Sequence, residues 1–78
     1  MIRSEIYIAK SKHGYQVDIY SHIKNKWVYH NEHTFRDVYL LFEDLQVTKD
    51  NTLLRMKPDN LLYYSLRLKG YSIKYHGQ

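Results

Sequence analysis

Ile2, Ser4, Ile6 and Ile8 alternate with Arg3, Glu5, Tyr7 and Ala9, the two-residue period of a strand with one buried face. The alternation returns from Tyr15 to His22, with Val17, Ile19 and Ser21 on one side and Gln16, Asp18 and Tyr20 on the other. Strands are therefore predicted over Ile2 to Lys10 and Tyr15 to His22. A His13-Gly14 turn with Lys12 opposite Tyr15 sets Ile8 beside Ile19 and Ile6 beside Ser21, so the apolar faces coincide. Gly14 would supply the positive φ that such a turn requires. This register sets Tyr7 opposite Tyr20 on the outer face, a cross-strand aromatic pair.

A third strand, Lys26 to His30, completes a meander, and the loop before it decides its facing. A three-residue loop, Lys24-Asn25-Lys26, pairs Ile23 with Trp27 and Ser21 with Tyr29, placing both rings in the core. A two-residue loop reverses every side chain. It would bury Val28 and His30 and leave Tyr7, Tyr20, Trp27 and Tyr29 as an exposed aromatic surface. A small core short of volume favours Trp27 inside, and Ile23 is in phase with Val17 and Ile19.

After Thr34 the period becomes helical. Thr34 is the expected N-cap, and Asp37 lies beside the positive N-terminal end. Phe35, Val38, Phe42 and Leu45 form one stripe flanked by Tyr39 and Leu41, whereas Leu40 points away. A short strand is expected over Thr52 to Lys57 through Leu54 and Met56. Pro58-Asp59-Asn60 resembles a helix start, with Asp59 or Asn60 as cap. Leu62, Tyr64, Leu66 and Leu68 alternate as in a strand, but Arg67 and Lys69 before Gly70 suit a helix C-terminus. Helix is favoured over Leu61 to Lys69. Such a helix is apolar nearly all round and needs neighbours on two sides, which predicts a homodimer through Leu62 and Leu66. A last strand is expected over Tyr71 to Tyr75. The fold class is thus α+β: a small antiparallel sheet, made of an N-terminal three-strand meander and a C-terminal strand, covered by one or two helices.

The chain has 78 residues, the size of one domain spanning 1–78. It has no cysteine, so neither disulfides nor a thiolate zinc site can staple it. Nine of its twelve aromatic residues are tyrosine. No apolar run approaches the roughly 20 residues that cross a bilayer. Met1-Ile2-Arg3-Ser4-Glu5 lacks the pattern of a secretion signal, and with the missing cysteines this predicts a cytoplasmic protein (host cytoplasm if viral) and no membrane partner.

Net charge is +4, divided as +2 over residues 1–33, −2 over 34–50 and +4 over 51–78. A basic end favours an acidic protein surface, a nucleic-acid–protein complex or nucleic acid itself. Basic residues interleave with tyrosines among Arg67, Lys69, Tyr71, Lys74, Tyr75 and His76. Lys10 and Lys12 flank one turn, and Lys24 and Lys26 another. The expected partner-binding residues are Tyr7, Tyr20, Lys24, Lys26, Arg67, Lys69, Lys74 and Tyr75.

Signatures of catalysis are sparse: there is no phosphate-binding glycine loop and no serine between glycines. No catalytic residue, metal site or cofactor is expected. His30-Asn31-Glu32-His33 is the best metal-ligating run, but zinc needs four ligands held in a tetrahedron. A ribonuclease-like pair of imidazoles, His22 and His30 at the open end of the second hairpin with His33 nearby, is the enzymatic alternative. In size and layout the chain resembles many small phage or mobile-element proteins, several anti-CRISPR inhibitors among them, though no motif carries the likeness. A small non-enzymatic binding protein, an inhibitor or modulator of a larger machine, is the leading expectation. A nucleic-acid-binding module is the alternative.

Overall fold

The computed structural model describes residues 1–57 and 61–74. The elements are β1 (Ser4–Lys10), β2 (Tyr15–Ser21), β3 (Lys26–His33), α1 (Phe35–Asp44), β4 (Thr52–Arg55), α2 (Leu61–Leu68) and β5 (Ile73–Lys74). They make one five-stranded sheet in the order β3-β2-β1-β4-β5. The expected α+β class holds, but the sheet is mixed rather than antiparallel. The β1–β2 and β2–β3 pairs are antiparallel, whereas β4 runs parallel to both β1 and β5. The physical reason is the connections: α1 carries the chain back between β3 and β4, and α2 between β4 and β5, and a helical crossover returns it in the same direction. Among the described residues the C-terminal strand covers Ile73–Lys74. Asp59, Asn60 and Tyr75, expected as helix caps and as a strand and binding residue, lie outside the described residues, as does His76.

One face of the sheet is buried. Ile6, Ile8, Val17, Ile19 and Leu54 join Val38 and Phe42 of α1 and Leu62 and Leu66 of α2 in a single cluster. Both helices therefore cover the same face. They also meet each other through a hydrogen bond between the hydroxyls of Tyr39 and Ser65. Leu62 and Leu66 are fully buried, which overturns the homodimer expected through them. The side of α2 left exposed carries Leu61, Tyr64 and Leu68 instead.

The first hairpin differs in register. Lys10 pairs with Tyr15, Ile8 with Val17 and Ile6 with Ile19. The shift from expectation is two residues, an even number, so each side chain keeps its face. Tyr7 now lies beside Asp18, and Tyr20 beside Glu5. Gly14 does not adopt a positive φ. Its role is close approach: a Cβ there would sit 2.4 Å from the His33 carbonyl oxygen.

The third strand is where parity fails. Ile19 pairs with Tyr29 but Tyr20 pairs with Trp27, so Val28 is an extra residue in a β-bulge. A bulge changes the facing of everything on one side of it. Tyr29 packs against the core as expected, whereas Trp27, expected inside, is 56% exposed on the opposite face. Ile23 and Leu45, also expected in the core, are exposed. Ile23 lies past the end of β2, and Leu45 is the C-cap of α1.

Helix ends follow the expected chemistry. Thr34 Oγ1 accepts a hydrogen bond from the Asp37 backbone N–H at 3.1 Å. After α2, Gly70 takes φ +101°. Its N–H donates to the Arg67 carbonyl at 3.0 Å, and the Tyr71 N–H donates to Leu66 at 3.2 Å. This paired closure satisfies carbonyls that a helix end leaves orphaned. After α1 the same closure recurs, with Gln46 N–H on Glu43 and Val47 N–H on Phe42. Here the left-handed position is held by Gln46, at φ +53°, a conformation disfavoured for residues with a Cβ.

Denaturant unfolding checks this packing. Leu66→Ala is expected to cost about 2–5 kcal/mol, and Leu68→Ala within about 0.5 kcal/mol; equal effects would contradict the facing of α2. Gln46→Gly is expected to stabilise by about 0.5–1 kcal/mol through relief of the left-handed strain. A loss of stability in that variant would contradict the geometry at the end of α1.

Candidate partner-binding surface

Since both helices occupy one face, the other carries neither among the described residues. Its side chains are those that alternate with the core: Glu5 and Tyr7 on β1, Gln16, Asp18 and Tyr20 on β2, Leu53 and Arg55 on β4. Strand register arranges them in rows. One row runs His30, Asp18, Tyr7, Arg55 and Lys74 across all five strands, and the next runs Trp27, Tyr20, Glu5 and Leu53.

Aromatic rings occupy the middle of this surface. The Trp27 ring centroid lies 5.1 Å from that of Tyr7 and 5.3 Å from that of Tyr20, tilted 54° and 77°. Tilted and edge-on contacts match the positive edge of one ring to the negative face of another. Rings this close are packed on each other and leave no cavity between them. They form a surface, suited to a broad partner rather than an enclosed small molecule.

Glu5 organises the polar part. Its Oε1 accepts from the Tyr7 hydroxyl at 2.8 Å and from Arg55 Nε at 2.9 Å, and its Oε2 lies 2.7 Å from His22 Nε2. The Arg55 guanidinium also lies over the Tyr7 ring, 5.8 Å from its centroid. Hydrogen bonding to His22 and then to Tyr7 holds the Glu5 carboxyl down at about 2 against its usual 4.5; Arg55 adds to this, and burial opposes it. Burial and the bond to Glu5 push the Tyr7 phenol up. A second carboxylate, Asp18, accepts from His30 Nδ1 and from Gln16 Nε2, the latter at 3.3 Å. Neither central carboxylate is therefore left with bare charge. Among the described residues Lys24, Lys26 and Lys74 make no ion pair. Glu32, further along β3, is an acid on this side that makes no ion pair among the described residues.

The expected binding residues divide between two regions. Tyr7, Tyr20 and Lys74 stand on the helix-free face, with Lys24 and Lys26 at its β2–β3 end. Arg67 and Lys69 belong with α2, on the other side of the sheet. Arg67 donates to the Tyr63 hydroxyl at 2.8 Å, and Lys69 lies over the Tyr39 ring at 5.4 Å. These two therefore stand on the helical side, apart from the surface of Tyr7. Glu5 and Arg55 are the members that sequence reasoning missed, and Trp27 is one that it offered only as the alternative to a place in the core. Arg55 stands 50 residues from Glu5, and only the parallel β1–β4 pairing brings them together.

Among the described residues the histidines do not converge. His22 engages Glu5 and His30 engages Asp18. His33 sits on the inner side, with its Nε2 2.6 Å from the Tyr29 hydroxyl. The run His30-Asn31-Glu32-His33 is strand rather than loop, so three-residue spacing sends its two imidazoles to opposite faces. Among the described residues no group of three or more potential ligands gathers, and no helix is long and apolar enough to cross a membrane. No family model matches the chain, and neither a curated protein nor a solved structure matches it.

The Glu5 cluster makes stability depend on pH. A carboxyl whose folded pKa lies below its unfolded value stabilises above the unfolded value, and this is lost as pH falls through the folded one. The window here runs from 4.5 down to about 2. With its side chain 18% exposed, Glu5 is expected to contribute about 1–2 kcal/mol after allowance for solvent screening. Denaturation of wild type and Glu5→Gln across that window is expected to show the wild type losing this amount more. Equal pH dependence would contradict the cluster.

Proposed function

We propose that this protein is a non-enzymatic binding module that docks through its helix-free sheet face on a protein surface with an apolar centre and an acidic rim. It acts by occupancy, as an inhibitor or modulator does. The observation that carries this reading is Trp27, held on that face by the bulge and packed against Tyr7 and Tyr20. Tryptophan, tyrosine and arginine dominate the energetics of protein interfaces, and all three types meet here. Arg55 is already fixed by Glu5, so little side-chain freedom is lost on binding.

Charge supports an acidic rim. Glu5 and Asp18 are satisfied internally, while among the described residues Lys24 and Lys26 at one end and Lys74 at the far edge make no ion pair. Direct binding of nucleic acid draws less support from the same residues. A phosphate backbone is met by cations gathered on one face. Here they scatter over the β1–β2 turn, the β2–β3 turn, α2 and β5, and Glu32 stands on the aromatic side.

A partner retained stoichiometrically by the wild type is expected to lose affinity by about 30-fold or more with Trp27→Ala and with Tyr20→Ala. Leu68→Ala, on the opposite side, is expected to leave affinity unchanged. Titration calorimetry measures all three. Unchanged affinity in Trp27→Ala would contradict the reading, as would tight binding of labelled RNA or DNA that weakens steeply with salt and ignores Trp27.

A further inference from the structure

Three of the aliphatic residues that escape the core gather at one place. Ile23, Val28 and Leu45 are 69%, 44% and 49% exposed, and all three line one groove of about 420 Å³. Each owes its exposure to a different cause: a strand end, a bulge and a helix cap. The groove floor is formed by Ile19 and Val47 of the core. Its volume falls within the roughly 300–1,000 Å³ of small-molecule sites. It opens on the helix-covered side of the sheet, apart from the aromatic surface, so it stands independently of the proposed function.

The charge at this groove is positive: among the described residues Arg3 is the only charged one lining it. Among the described residues neither its guanidinium nor the Gln46 side-chain amide has a partner. The carbonyls ending α1 are already taken: Leu41 and Glu43 accept from Leu45, Glu43 also from Gln46, and Phe42 from Val47. Gln46 keeps its left-handed backbone although glycine would relieve it. Residues held in such conformations cluster at functional sites.

We propose that this groove binds a small amphiphilic carboxylate, with the apolar chain along Ile23, Val28 and Leu45 and the carboxylate on Arg3 and Gln46. Arg–carboxylate hydrogen bonds are charge-assisted and orient the ligand, while the apolar lips supply area removed from water.

Amide-resolved NMR titration with decanoate, using decanol and decylammonium as controls, tests this. Saturable binding of one decanoate is expected to shift the amides of Ser4, Ser21, Val28 and Thr52 and leave the Trp27 indole unmoved. Arg3→Ala is expected to weaken it about tenfold, as is Ile23→Asp, whose side chain is too exposed to endanger the fold. Gln46→Gly is expected to weaken binding while raising stability, a combination that mere damage to the fold would not produce. Absence of saturation, equal affinity for decanol, or decanoate affinity unchanged in Arg3→Ala would each overturn the proposal. A partner-binding defect in Trp27→Ala leaves this outcome untouched, so the two readings fail separately.

Discussion

Burial of the sheet on one side governs everything else in this molecule. Ile6, Ile8, Val17, Ile19 and Leu54 point one way because a strand alternates its side chains, and only that side is apolar enough to recruit helices. Val38 and Phe42 come from α1, and Leu62 and Leu66 from α2. With no disulfide in the chain, packing must supply the stabilisation. Each fully buried aliphatic side chain contributes roughly 1.5–3 kcal/mol. Both helices are committed to one face, and the opposite face is left to the residues between the core positions. The character of that second face is thus a by-product of the first.

Those intervening residues are unusually aromatic and unusually well paired. Trp27 touches both Tyr7 and Tyr20, and Glu5 ties Tyr7, His22 and Arg55 into a fixed polar cluster. Fixing these side chains in the free protein lowers the entropy lost when a partner covers them. The lysines that remain unpaired stand around this patch rather than in its middle. An apolar centre with a charged rim is the anatomy of a protein interface, whereas nucleic acid calls for cations concentrated where the phosphates run.

Local pattern made much of this fold legible before any coordinates. The alternation in β1 and β2 gave their inner faces correctly, and the register error of two residues did no harm because it was even. Thr34 caps α1 through its hydroxyl, and Gly70 closes α2 because, lacking a Cβ, it takes the left-handed φ that the closure requires. Non-local features stayed hidden. Nothing near Thr52 says that β4 will insert between β1 and β5, so neither the parallel pairing nor the Glu5–Arg55 contact was readable. Leu62 and Leu66 looked available for a second chain only because both helices had not been placed on one face. The bulge at Val28 was equally silent: Trp27, Val28 and Tyr29 suit either facing, and a single extra residue sends the two rings to opposite sides.

That bulge is the point on which the functional account turns, because it alone puts Trp27 outside. Trp27 is the single tryptophan of the chain, so its fluorescence reports on this one position. Acrylamide quenching of the free protein tests the account most directly. Emission close to that of solvated indole, quenched readily, is the predicted result, with full denaturation adding little further access. Blue-shifted emission shielded from acrylamide until the protein unfolds would place the ring in the core, remove the aromatic surface, and contradict the account.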